Sequence, residues 1–338
     1  MKTLLKTPFS TYAFMLLFAA EFTYYLLILQ TGIVEYHHSN LTEIWMVPAG
    51  GMIGILLSIL VYKDRQWLIS FLLFSQLLLS IDYAKANGLE LFLLGFISGL
   101  TAPMLIAGVQ RLWIVVVALA LSYAFGTYVF DVQAVDRTGI ALGLSLFAFA
   151  TSLFSGMNTV RDAKGMVSLY SMGNIFLWLL LDAALFETLS RNTVMHLWGE
   201  DHFIWMIILF HLIGLAVAYR LRHWKYNDAA LLGLFILTYV TYTLGSQEGL
   251  SVVYPFVISY YNVIILSKLI RLPYVQLALM SLSLWAASGL GLFIALSHTF
   301  AIAWAVLALL IWNFWNKRGT LKLPVGSFIL PKSTANIH

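Results

Sequence analysis

The 338-residue chain is 61% hydrophobic and 10% charged, with a mean hydropathy of +0.88. Too little charge remains to cover a soluble surface, so a polytopic membrane protein is expected. No cysteine is present, which excludes disulfides and thiolate chemistry, and the net charge of +4 is spread over short loops rather than gathered in a nucleic-acid-binding patch.

Residues 1–7 are basic and 9–34 apolar with no small-residue cleavage site after them, so a retained first helix is expected. Twelve apolar stretches follow the same pattern: 9–33, 45–62, 66–82, 90–109, 112–131, 138–156, 166–187, 202–219, 228–245, 250–267, 273–297 and 299–315. Several approach the lower limit of about 17 residues for a spanning helix. Ser297-His298 alone divides the last two.

Glu21 stands halfway along the first stretch, in Ala19-Ala20-Glu21-Phe22-Thr23-Tyr24-Tyr25. A charged group inside a membrane helix is costly and is a functional candidate by default. Glu21 is therefore a candidate proton or cation site, with Tyr24 beside it in a substrate cavity. The competing reading is a structural hydrogen bond to a neighbouring helix. Gln30 lies nine residues on and shares the Glu21 face less well. Glu35, His37, His38 and Glu43 share one outer loop but lack a ligand spacing, so no metal site is expected.

Gly50, Gly51 and Gly54 in the second stretch, and Gly95 and Gly99 in the fourth, are small residues that let helix backbones approach closely in lipid. The fourth stretch also holds Pro103 and ends in Gln110-Arg111; the tenth holds Pro255, Tyr260, Tyr261 and Asn262 and ends near Lys268. Each proline removes a helix hydrogen bond and is a candidate bend. Aligning Pro103 with Pro255 gives a shift of 152 residues, which sets Gln110 on Asn262. A shift one residue longer sets Glu21 on Asn174. Paired broken helices in two halves point to a transporter's central path, so Gln110, Asn174, Asn262 and Tyr260 are candidate cavity residues. Asp182, eight residues beyond Asn174 on the same helical face, and His211 in the eighth stretch join Glu21 as coupling candidates. Arg111 and Lys268 read as a cytoplasmic gate or as interfacial anchors. Aromatics make up 15% of the chain, so no single tryptophan stands out.

With the N terminus placed inside, only Lys85, Arg137 and Arg191 of the 19 basic residues fall outside. The positive-inside rule then puts both termini in the cytoplasm. The links after the second and eighth stretches match in kind: Tyr62-Lys63-Asp64-Arg65-Gln66-Trp67 and Tyr219-Arg220-Leu221-Arg222-His223-Trp224. Tyrosine, tryptophan and basic residues suit the membrane interface.

Six helices plus six, internal similarity, both ends inside and a short basic turn containing Asp64-Arg65 resemble the major facilitator superfamily. The family's loop signature places a glycine after its acidic–basic pair and then a basic cluster; here Trp67 replaces the glycine and the cluster is absent. Copper importers of that superfamily carry Met or His pairs four apart on helices seven and eight. Met166 and Met172 are six apart and Met206 and His211 five apart, so that branch is not matched. The resemblance implies two six-helix bundles, 1–158 and 166–315, joined by a linker at 159–165 and followed by a tail at 316–338. It also implies a central cavity and alternating access, with Asp64 and Arg65 at a cytoplasmic gate.

The function expected is secondary transport of a small organic solute, coupled to protons or cations, in a bacterial inner membrane. A non-transporting receptor or assembly subunit is the alternative. No catalytic set or cofactor motif is present in the sequence, so an enzyme is not expected. The partners expected are a small-molecule substrate and membrane lipid, with no nucleic acid; a monomer is expected, and a protein partner stays open.

Overall fold

Lipid cannot satisfy open backbone polar groups, so an apolar chain of this kind must close its hydrogen bonds within helices. The computed structural model describes residues 8–36, 41–62, 65–157, 168–191, 195 and 197–320, and every regular element among them is helical. The helices are α1 (Pro8–Tyr24, continued through Tyr25–Gly32 and Ile33–Tyr36), α2 (Met46–Val61), α3 (Arg65–Leu79), α4 (Gly88–Gly108), α5 (Leu112–Tyr128) and α6 (Thr138–Ser152). They continue as α7 (Leu169–Ser190), α8 (Asp201–Leu221), α9 (Asn227–Thr243), α10 (Gln247–Leu269), α11 (Tyr274–Leu296) and α12 (Ala301–Thr320). Seven described helical stretches are long and apolar enough to cross a membrane, while those at Met46–Val61, Gln66–Leu79, Leu112–Tyr128 and Ala301–Asn316 are shorter and apolar. The chain is an integral, all-α membrane protein.

Local chemistry sets the helix ends. Asn87 caps α4 by accepting from the Leu89 and Glu90 N–H groups, and Glu90 accepts in return from the Asn87 N–H, a reciprocal cap. Ser168 and Ser246 cap α7 and α10. Between α11 and α12, His298 takes a left-handed backbone with φ 54°, and the Ser297 and Thr299 hydroxyls meet at 2.7 Å. The short Ser297-His298 break is thus a true turn.

The seam between α2 and α4 needs its glycines. A Cβ on Gly50 or Gly54 would overlap the Phe92 or Phe96 carbonyl, and one on Gly95 or Gly99 would overlap the Val47 or Gly51 carbonyl. The backbones therefore touch directly, which small residues permit and larger ones forbid.

From Tyr25 to Gly32, α1 widens into π-helical turns, and the Ile33 N–H bonds the Ile28 carbonyl five residues back. Arg137, buried just before α6, braces this segment. Its Nη1 donates to the Leu27 carbonyl at 3.0 Å and to Thr31 Oγ1 at 2.9 Å. Its Nη2 and Nε donate to the Phe130 and Val132 carbonyls at 2.6 and 2.8 Å. Glu35 balances the charge from 3.7 Å. A guanidinium can be buried when its donors are met in this way.

Helix packing recurs six helices along the chain. The pairs α1–α5, α1–α6, α2–α4, α3–α4 and α3–α6 have counterparts α7–α11, α7–α12, α8–α10, α9–α10 and α9–α12. The cross-contact α2–α11 is matched by α8–α5, and α4–α11 by α10–α5.

The register of that recurrence differs from the proline alignment. α1 and α7 begin 161 residues apart (Pro8, Leu169), and α4 and α10 begin 159 apart (Gly88, Gln247), not 152. Pro103 and Pro255 do lie inside α4 and α10. Pro103 is five residues from the α4 end at Gly108, whereas Pro255 is fourteen from the α10 end at Leu269. In the register of 159–161, Pro103 falls at 262–264, seven to nine residues past Pro255, which is about two turns of helix. The shared proline is a coincidence of composition. In the helix register Glu21 corresponds to Asp182, 161 residues on, rather than to Asn174.

Candidate functional site: a six-helix cavity

A cavity of about 210 Å³ lies among α1, α2, α4, α7, α10 and α11. From α1 it takes Phe18, Glu21, Phe22 and Tyr25. These positions recur at three or four residues and so form one helical stripe. Ser98, Thr101, Leu105 and Ile106 of α4 face Tyr261, Asn262, Ile265 and Leu266 of α10. At a shift of 160, α4 residues 101, 102, 105 and 106 correspond to α10 residues 261, 262, 265 and 266, all eight of which line the cavity. Leu179 of α7 and Ser281, Leu284 and Trp285 of α11 complete the wall. The lining is mostly apolar and aromatic with a few polar groups, the usual make-up of a small-molecule site.

Glu21 is the acidic residue of this wall. It is 8% exposed, and Gln76 Nε2 of α3 donates to its Oε1 at 2.9 Å. The carboxyl is therefore held from behind by one amide while its residue lines the cavity. Next to it, Thr23 donates to Ser122 of α5 at 2.8 Å, and Tyr24 meets Ser80, just past the end of α3, at 2.8 Å.

Asp182, its counterpart on α7, accepts from two phenols of α10. Tyr254 donates at 3.2 Å, and Tyr261 makes a shorter bond. Tyr261 is itself a wall residue, so Asp182 is bonded to the wall through it. Asn262 lines the cavity and donates to Tyr123 of α5 at 2.7 Å. The Tyr123 ring stacks on the His211 imidazole, with centroids 4.2 Å apart, and His211 Nδ1 meets Ser259 Oγ at 2.8 Å. This run of contacts ties α5, α8 and α10 together.

The remaining sequence candidates fall elsewhere. Tyr24 and Tyr260 point away from the cavity: Tyr24 to Ser80, and Tyr260 to Asn227 of α9 at 2.6 Å. Their neighbours Tyr25 and Tyr261 occupy the wall instead. One residue of helix is a rotation of about 100°, enough to exchange wall for backing. Gln110 is exposed in the turn between α4 and α5, because α4 stops at Gly108 and Val109 is already extended. Asn174 is buried on α7 outside the set of wall residues. Arg111 is exposed at the start of α5. Lys268 reaches Asp228 and Ser171 at 3.4 Å each and stands 5.6 Å over the Trp178 ring, so it links α10 to α9 and α7. Asp64, the Arg65 side chain, His37, His38, Met166, the 159–165 linker and the tail from 321 lie outside the described residues. Among the described residues no three His, Asp or Glu gather as a metal site.

Sequence reasoning missed Gln76, Tyr123, Tyr25, Trp285 and Arg137. Only Arg137 carries a signal, as a charge beside an apolar stretch, and the sequence reading counts it only among the basic residues outside the membrane.

No protein-family model matches the chain, and no curated protein matches it. Solved structures do match in fold. The human organic anion transporter MFSD10 (TETRAN) superposes with a TM-score of 0.56 at 15% identity, over 92% of this chain and 99% of that one. A bacterial homologue of the iron transporter ferroportin, in an outward-facing state, gives 0.50 at 14% identity, over 91% and 98%. The chain shares its fold with these two transporter structures.

Proposed function

We propose that this chain is a secondary active transporter of a small organic solute, working by alternating access and coupled to protons or cations through Glu21. The observation that carries the reading is a cavity walled by helices from both ends of the chain, with one buried carboxyl in its lining. For this mechanism we propose twelve membrane spans in two six-helix bundles, 1–158 and 166–315. The recurrence of every named helix contact six helices later supports that division. Basic residues on one side of the helix ends support cytoplasmic termini.

The solute class follows from the wall. Phe18, Phe22, Tyr261 and Trp285 offer apolar and aromatic surface, while Asn262, Ser98 and Thr101 offer hydrogen bonds. An amphipathic organic molecule suits this mixture. One fold relative is named an organic anion transporter and the other a homologue of an iron transporter. A carboxyl in the cavity favours a solute that presents a donor or cationic group, or a proton that accompanies the solute.

The test is reconstitution of the full chain in proteoliposomes with a panel of small organic acids, amines and neutral solutes, with and without a pH gradient. Gradient-driven uptake of at least one solute is expected, and Glu21→Gln should abolish it while the protein still elutes as a folded species. Uptake unchanged in Glu21→Gln removes Glu21 from coupling. An absence of uptake across the panel, with a stoichiometric protein partner retained in purification, would favour a receptor or assembly subunit.

A further inference from the structure

The main cavity shares a wall with a second, smaller chamber of about 40 Å³ toward Ile33, Val34, Ile44 and Leu292. Tyr25 and Trp285 line both chambers. Their ring centroids are 5.5 Å apart and their planes tilted by 52°. Each ring is fixed by a different helix. Tyr25 Oη and Ser288 Oγ of α11 lie 3.2 Å apart. Trp285 Nε1 donates to the Pro48 carbonyl of α2 at 3.1 Å. Gly51 of α2 lies flush against the indole, where a Cβ would overlap the ring. Tyr25 is also the first residue of the widened α1 segment that Arg137 braces.

We propose that Tyr25 and Trp285 are the barrier residues of the solute path, two rings that close the main cavity from the chamber at the Leu292 side. The inference rests on the transport reading and names the residues a solute must pass. The geometry suits a barrier. Aromatic rings fill a cross-section with few rotatable bonds. The contacts joining them run between α1 and α2 on one side and α11 on the other, so relative motion of those helices parts the rings. The chamber beyond holds Gln30, Glu187 and Ser288. Glu187 is buried, with the Gln30 amide beside its carboxyl and Arg191 Nη2 donating to Oε2 at 2.7 Å. A solute or water leaving the rings on that side meets a mostly apolar wall in which Gln30, Glu187 and Ser288 are the polar side chains.

The natural absence of cysteine gives a direct test. Single reporters Ser98→Cys, in the main cavity, and Leu292→Cys, in the smaller chamber, are placed in the full chain and expressed in cells. A membrane-impermeant trimethylammonium methanethiosulfonate is added from the side that labels Leu292→Cys. Ser98→Cys should react slowly from that side. Adding Tyr25→Ala with Trp285→Ala should raise its rate about tenfold, the change given by removing one aromatic contact from a barrier, and leave Leu292→Cys near its starting rate. Tyr25→Ala alone, which removes the same ring contact but keeps the Trp285–Pro48 bond, is the milder variant should the pair fail to fold; it should raise the rate by up to the same factor. Labelling of Ser98→Cys as fast as Leu292→Cys with both rings in place, or no change when rings are removed from folded protein, would overturn the proposal. Labelling needs no transported solute, so a barrier that holds in a protein showing no flux would keep the two rings as the divider between the chambers and remove only the solute path that rests on the transport reading.

Discussion

Glu21 and Asp182 occupy corresponding positions on α1 and α7, 161 residues apart, yet their surroundings differ. Among the described residues, Gln76 is the one side chain seen bonding Glu21, whose residue lies in the cavity wall. Asp182 is gripped by Tyr254 and Tyr261 and sits behind the wall. Both are acids in apolar helices, and the rule that such groups are functional by default applies to each. The hydrogen-bond load separates them. An acid held by two phenols is a clamp for α7 on α10. An acid held by one amide at a cavity keeps capacity for a proton or a solute. Position in a repeated architecture therefore does not assign a role; the number of donors already spent does.

The largest expected effect breaks the comparison outright. Glu21→Gln should eliminate gradient-driven uptake in proteoliposomes, whereas Asp182→Asn should retain measurable uptake because the Asn carbonyl can still accept from a tyrosine. Equal losses in the two variants would mean that both carboxyls couple. Next in size is stability. Asp182→Ala leaves two phenol donors without their acceptor, at about 1–3 kcal/mol for each group left unsatisfied. Glu21→Ala frees one amide and should cost about half as much, as read from thermal unfolding in one detergent. A larger loss at Glu21 would contradict the clamp assignment. The smallest effect is Tyr254→Phe, which deletes the longer of the two bonds to Asp182 and should cost about 0.6 kcal/mol, the average for a hydrogen bond between membrane helices. A double-mutant cycle with Tyr261→Phe should be non-additive, since both phenols share one carboxyl.

Much of the helix layout was legible in the sequence. All twelve apolar stretches coincide with described helices, because an apolar run with polar punctuation has few alternatives in lipid. The two residues Ser297-His298 were enough to mark a turn. Helix rotation was far less legible. The sequence singles out Tyr24 rather than Tyr25 and does not tell Tyr260 from Tyr261, whereas the wall takes Tyr25 and Tyr261. In water a polar face tells which side of a helix is outward; here lipid and protein core are both apolar, so adjacent tyrosines look alike. Gln110 was misplaced for a related reason: apolar Val109 masks the end of α4. The π-helical segment was invisible, since its brace, Arg137, lies more than 100 residues downstream of it.

The glycine seam of α2 and α4 has a mechanical consequence. Where backbone lies on backbone, with Gly50 against Phe92, Gly54 against Phe96, Gly95 against Val47 and Gly99 against Gly51, each glycine sits in a notch that repeats every four residues. A small slide would drive Cβ-bearing neighbours onto carbonyl oxygens, so the pair has no soft direction along its length. The two helices form a stiff plank, and bending must concentrate in segments without such notches, above all the widened part of α1. Because α2 also carries the Pro48 carbonyl and the Gly51 surface that seat Trp285, a tilt of the plank moves the indole's seat by leverage. The wall at Thr101 and Leu105 and the ring at Trp285 are thereby geared to one another at fixed ratio.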